Sequence, residues 1–107
     1  MFPLATFNHV IDELEQRYSH LARGQMLSSP AIEYKGRAFA FCQQDKMIIK
    51  YHDREVLVNI GIRATQDYRP FMNSVSLSKW CEVPFYYHAD WTELAEMALD
   101  AMKLEID

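Results

Sequence analysis

Residues 36–51, Gly-Arg-Ala-Phe-Ala-Phe-Cys-Gln-Gln-Asp-Lys-Met-Ile-Ile-Lys-Tyr, narrow the choice of fold more than any other stretch. Residues 38–42 and 47–51 are dense in aromatic, β-branched and other apolar side chains, the composition of strands. Gln43, Gln44, Asp45 and Lys46 separate them as a polar break of hairpin-loop length. Lys35-Gly36 adds a tight turn just upstream, with Gly36 supplying a positive φ, and 31–34 reads as a short strand before it. Pro30 lacks a backbone donor, which places it at a strand start or a sheet edge. The expectation is a three-stranded meander over 31–34, 37–43 and 46–51. Strict alternation puts Phe39 and Phe41 on one face and Ala38, Ala40 and Cys42 on the other, the small-residue face suiting a closely packed helix.

The flanks read as helices. Over 6–23, Phe7, Val10, Ile11, Leu14, Tyr18 and Leu21 recur at three- and four-residue spacing. Thr6 or Asn8 caps the start, and Gly24 ends the helix in the left-handed conformation. His9 and His20, eleven residues apart on that helix, would be about 16 Å apart, too far to share a metal. Residues 52–60 carry strand propensity in Val56, Leu57 and Val58, but Asp53 is a good N-cap and Gly61 a good stop, so a short helix is expected. Residues 63–73 read as a loop. Residues 74–81 alternate, with Val75, Leu77 and Cys81 on one face and Trp80 on the other, as a fourth strand; Lys79 breaks the pattern and marks a sheet margin. A loop around Pro84 leads to a helix opening at Asp90, with Glu93 as capping-box partner. The result is one α+β domain over 1–107: an antiparallel four-stranded sheet with N- and C-terminal helices and one short internal helix, in the order α-β-β-β-α-β-α.

At 107 residues, half of them apolar and 24% charged, the chain has the make-up of a single soluble globular domain. The net charge of −4 is unevenly spread: −1 over 1–30, +3 over 31–80 and −6 over 81–107. An acidic C-terminal helix beside a mildly basic sheet argues against generic nucleic-acid binding, which needs a concentrated basic footprint. Cys42 and Cys81 fall inside apolar runs and fit buried free thiols; a disulfide requires their strands to be neighbours. The first residues lack the basic and apolar regions of a secretory signal, and charges interrupt every apolar run, so a cytoplasmic protein is expected.

Two segments resemble the N-terminal domain family of TfoX, the bacterial competence regulator also called Sxy. Tyr34-Lys35-Gly36-Arg37-Ala38-Phe39-Ala40-Phe41 followed by Asp45-Lys46-Met47-Ile48-Ile49-Lys50 is similar to that family's paired central strands. Trp80-Cys81-Glu82-Val83-Pro84 followed by a helix from Asp90 resembles its last strand, loop and helix. Where that family often carries a glycine-rich segment, this chain has Met26-Leu27-Ser28-Ser29-Pro30-Ala31. The MmcQ/YjbR family of small α+β proteins is similar by element order and has been associated with DNA binding. The resemblance implies a regulatory interaction module, and neither family supplies established catalytic residues to carry over; no cofactor is expected.

No metal, phosphate-loop, redox or nucleophile-elbow motif occurs. The histidines at 9, 20, 52 and 88 are scattered; a site pairing His52 or His88 with Cys42 or Cys81 would have to be shown by geometry. The most distinctive local feature is aromatic: Trp80, Phe85, Tyr86, Tyr87, His88 and Trp91. Such side chains either staple the last helix to the sheet or anchor a partner, and Arg63, Arg69 and Lys79 lie near them in sequence. Two functions are therefore expected, in order: contacts with a protein partner or a second copy through the aromatic residues, and weak nucleic-acid binding through Arg37, Lys46, Lys50, Arg54 and Arg63.

Overall fold

Three hairpins follow one another from residue 21 to residue 49, each closed by a two-residue turn. The computed structural model describes residues 2–69 and 77–107. Strand β1 (Leu21–Met26) turns into β2 (Ser29–Tyr34), β2 into β3 (Arg37–Gln43) and β3 into β4 (Lys46–Ile49). The turn residues Leu27 and Ser28, then Lys35 and Gly36, all have positive φ, and so does Gln44 in the third turn. Two-residue turns of this hand match the right-handed twist of the strands they join.

Helix α1 (Pro3–Arg17) precedes β1, and α2 (Arg54–Asn59) follows β4. Strands β5 (Gln66–Tyr68) and β6 (Leu77–Pro84) come next, then a 3₁₀ turn (Phe85–Asp90) and α3 (Trp91–Ile106). Among the described residues the sheet is antiparallel and six-stranded, in the order β1-β2-β3-β4-β6-β5. The α+β class and both terminal helices stand as expected; the strand number does not, because 21–26 and 66–68 are strands.

Residues 21–23 were legible as helix because two periods coincide there. Leu21 lies seven residues after Leu14, at helical spacing, yet Leu21, Arg23 and Gln25 also alternate as one face of a strand. The helix stops at Arg17, and Tyr18 is extended (φ −130°, ψ 147°). Its hydroxyl donates to Glu96 on α3 at 2.7 Å, and the Lys103 ammonium sits 4.2 Å from its ring centre. His20 then takes φ 68°, outside any helix, so only His9 of the two histidines is helical. At the other end Pro3 opens the helix, with its φ preset and no donor to waste. Thr6 is inside it, donating its hydroxyl to the Phe2 carbonyl rather than capping. Gly24 is a strand residue, not a helix stop. Pro30 lies within β2, whose outer neighbour β1 is the actual edge.

A β-bulge corrects the expected faces of β3. Ile32 pairs with Ala40 but Glu33 pairs with Ala38, so Phe39 is the extra residue. The inserted residue flips the alternation around it. Phe39, Ala40 and Cys42 join the main core with Ile32, Met47, Ile49, Cys81 and Val83, beneath Phe7, Val10, Ile11 and Leu14 of α1 and Leu94, Ala98 and Met102 of α3. Phe41 faces the other side, clustered with Ala31, Ile48 and Tyr68 and flanked by Met26, Ala38 and Trp80.

The remaining elements follow their local signals. The Asp53 carboxylate accepts from the Val56 amide at 3.2 Å, and Gly61 (φ 93°) ends α2 as expected. Asp90 stands at the N-cap of α3 without a side-chain hydrogen bond, so the capping box with Glu93 is not formed. The expected strand over 74–81 ends later than expected: β6 runs on to Pro84, in register with β4 through Met47↔Val83 and Lys46↔Pro84. Val75 and the other expected positions at 70–76 lie outside the described residues.

Candidate functional site: the aromatic turn and the sheet surfaces

The structure divides the six aromatic-cluster residues between two faces of the sheet. Trp80 packs on the face that carries no helix among the described residues (the helix-free face), its ring 5.5 Å from that of Phe41, while Trp91 is completely buried on the helix side. The Trp91 indole donates to the Pro84 carbonyl at 3.3 Å, which satisfies its one polar atom inside the core. Phe85 closes over Trp91 edge-on at 5.5 Å and stacks on His88 at 4.8 Å. Tyr87 is half-buried, its hydroxyl accepting from the amides of Arg63 at 3.2 Å and Ala64 at 2.9 Å. Those bonds tie the turn to the segment after α2. Tyr86 is the exception: it is 85% exposed, edge-on to Tyr87 at 5.0 Å. The cluster therefore mostly staples α3 to the sheet and presents the Tyr86 ring and His88 to solvent. Its six members do not form one surface, because the faces on which Trp80 and Trp91 lie are set by strand pairing rather than by proximity in sequence.

Of the five cations expected as nucleic-acid contacts, three are paired with carboxylates. Lys46 pairs with Glu82 at 2.9 Å, Lys50 with Glu105 at 3.1 Å and Arg54 with Asp67 at 2.6 Å. Arg37 begins β3 and is exposed; Arg63 is exposed and offers its backbone amide to Tyr87. Among the described residues, Lys50, Lys79 and Arg37 all act on Glu105, and Lys35 and Lys103 on Asp107. The Lys50 hydrogen bond, with Lys79 and Arg37 farther off, holds the Glu105 carboxyl below its usual pKa. Lys50 and Lys79 also line a small recess with Tyr51, His52, Asp53, Ala101 and Glu105. A neighbouring hollow, lined by Tyr51, Met97, Asp100, Ala101 and Leu104, continues it along α3. Lys79 is exposed and lines this recess from β6, the strand between β4 and β5.

Neither thiol has the environment of a nucleophile. Cys42 and Cys81 are buried and free, on strands that β4 separates, which excludes the disulfide between neighbouring strands. Burial pushes both up to about 11, so they stay protonated at neutral pH. His52 and His88 are exposed. Among the described residues no group of three or more His, Cys, Asp or Glu side chains is placed to hold a metal, and no helix is long and apolar enough to cross a membrane.

One feature gave no signal in the sequence. Arg23 of edge strand β1 turns over α1, where its guanidinium reaches Asp12 and Glu15, and Asn8 at 3.5 Å. On the opposite face Glu33 of β2 lies across Gly24, so that a Cβ at position 24 would fall on the Glu33 carboxylate. A side chain at position 24 would displace the end of the Glu33 side chain, and the backbone conformation there does not demand glycine.

Together these features define an α+β protein whose single antiparallel sheet carries helices on one face and a small aromatic cluster on the other. Comparison with protein-family models, curated proteins and solved structures gives no match for this chain.

Proposed function

We propose that the protein is a non-enzymatic, cytoplasmic interaction module of the kind implied by its resemblance to the TfoX N-terminal domain family, working through contacts with another protein. The observation that carries this reading is Tyr86, an 85% exposed ring on a turn held rigid by the Tyr87 bonds to Arg63 and Ala64. A large amphipathic side chain that loses little conformational freedom on docking is a common binding anchor. The alternative of weak nucleic-acid binding has less support, because Lys46, Lys50 and Arg54 are each paired with a carboxylate.

The test compares purified wild type with Tyr86→Ser, first as bait in affinity capture and then against random-sequence duplex DNA at 50 and 200 mM salt, concentrations spanning roughly a hundredfold affinity change for a protein that neutralises several phosphates. The interaction reading expects a protein held by wild type and lost by the variant, with no measurable DNA affinity. A DNA affinity that falls steeply with salt, unaffected by Tyr86→Ser, would replace it with the alternative.

A further inference from the structure

The two edges of the sheet are treated very differently. Edge strand β5 has three residues, a register irregularity between Asp67 and Tyr68, and Asp67 committed to Arg54. Short length and a bulge are devices that discourage another strand from adding on. Edge strand β1 has neither. Its six residues pair with β2 in unbroken register from Leu21↔Tyr34 to Met26↔Ser29, contain no proline, and carry one charge, Arg23, drawn away over α1.

The direction of its free hydrogen-bonding groups follows from the hairpin. The two-residue turn makes Met26–Ser29 a hydrogen-bonded pair, and Lys35 donates to the His20 carbonyl at 3.0 Å at the other end. Antiparallel pairs alternate. Ala22, Gly24 and Met26 therefore face β2 with their backbone groups, and Leu21, Arg23 and Gln25 direct theirs outward. A strand docking here would form hydrogen-bonded pairs with those three residues. Its residue opposite Gly24 would sit in a non-hydrogen-bonded pair, where side chains approach most closely. Its side chain would meet the Glu33 carboxylate that Gly24 leaves room for, on the helix-free face.

We propose that β1 is a docking edge for an extended segment of a partner protein that carries a lysine or arginine opposite Gly24, its cation paired with Glu33 and its backbone continuing the sheet. Charge decides the occupant. Glu33 is half-buried and forms no ion pair among the described residues, while Asp12 and Glu15 leave the helix side of the same edge acidic even with Arg23 between them. A second copy docking β1 on β1 would place only Ala22, Gly24 or Met26 on the Glu33 side, with no cation to meet it.

This proposal rests on the interaction-module reading, and its test is independent of Tyr86. The probe is the capped peptide Thr-Val-Thr-Lys-Thr-Val-Thr, with a glutamate-centred peptide as control, titrated into the full chain and followed by backbone amide NMR. The lysine peptide is expected to shift and protect the amides of Leu21, Arg23 and Gln25 and to bind at least about fivefold tighter than the control. Glu33→Gln should abolish that preference and Glu33→Lys should reverse it, while Tyr86→Ser leaves it intact. Unmoved β1 amides at millimolar peptide, or equal affinity for both peptides, would overturn the proposal. So would concentration-dependent protection of those amides without peptide, which would identify a second copy as the occupant. If the β1 result is positive while Tyr86→Ser fails to disturb partner capture, the Tyr86 surface fails and the edge stands; the reverse pattern removes only the edge.

Discussion

Gly36 is held to glycine by its backbone, whereas Gly24 only leaves space that the Glu33 carboxylate occupies. Gly36 has φ 83° and open space where a Cβ would stand, so Gly36→Ala is expected to cost about 1–2 kcal/mol through backbone conformation alone. Gly36→Asn should cost less, since asparagine tolerates this conformation; equal urea midpoints for wild type and Gly36→Ala would contradict the turn geometry. The need for glycine at position 36 could be read from Lys35-Gly36 between two apolar runs. The contact at 24 could not, because the neighbouring carboxylate belongs to Glu33, nine positions along and on another strand. The thiols give a pH prediction of definite sign. Folded Cys42 and Cys81 hold their protons to about pH 11, against 9 for the free groups, so the folded state binds more protons between those values. Stability is full below pH 9 and falls as pH rises toward 11. Urea titrations from pH 8 to 11 should show this loss, flattened in a Cys42→Ala/Cys81→Ala chain. Buried tyrosines such as Tyr68, also raised chiefly by burial, act in the same direction above pH 10.

Hairpins and short helices were legible where the signals are local. The strands at 37–43 and 46–49 and the Asp53 cap of α2 follow from turn residues and propensities within a few positions. Asp53→Ala is expected to destabilise by about 1 kcal/mol, measured by denaturant melts. Strand β1 was not legible, because helical and strand periods agree over its first residues, and β5 offers too few residues for any period. The bulge at Phe39 is a property of the β2–β3 pair rather than of either strand, so alternation along β3 alone assigned Phe39 to the wrong face. A paired prediction tests it. Phe39→Ala and Phe41→Ala, both fully buried positions, should each cost about 3–5 kcal/mol. Only Phe41→Ala should alter the emission of Trp80, whose ring lies 5.5 Å from Phe41 on the helix-free face. A Trp80 response to Phe39→Ala instead would place the two phenylalanines on one face.

Across the whole molecule, α3 is clasped to the sheet and to the end of α1 by polar contacts between residues far apart in sequence. Asp107 accepts from the Tyr34 hydroxyl at 2.7 Å and from Lys35 at 2.8 Å, Glu105 from Lys50, and Glu96 from Tyr18 and Arg17. The Lys35 hydrogen bond, with that from Tyr34, holds the Asp107 carboxyl below its usual pKa, as Lys50 does for Glu105. Lowered carboxyl values mean stability that is present above the ordinary carboxylate range and lost as pH falls through it. The double variant Glu105→Gln/Asp107→Asn should show a shallower acid loss below about pH 4.5, an effect that added salt diminishes in wild type. Three of the five cations expected at a nucleic-acid surface are paired in the same way, Lys46 with Glu82, Lys50 with Glu105 and Arg54 with Asp67. Their carboxylate partners come from β6, α3 and β5, elements that no local sequence signal ties to these cations.

The central claim is that 21–26 is an open edge strand of a six-stranded sheet, and amide hydrogen exchange of the free protein, read residue by residue, tests it most directly. The account predicts alternation along β1, with Ala22, Gly24 and Met26 protected by β2 and Leu21, Arg23 and Gln25 exchanging at nearly the rate of an unstructured chain. Uniform protection from 21 to 26 would contradict it, showing a helix there or an edge that is already covered.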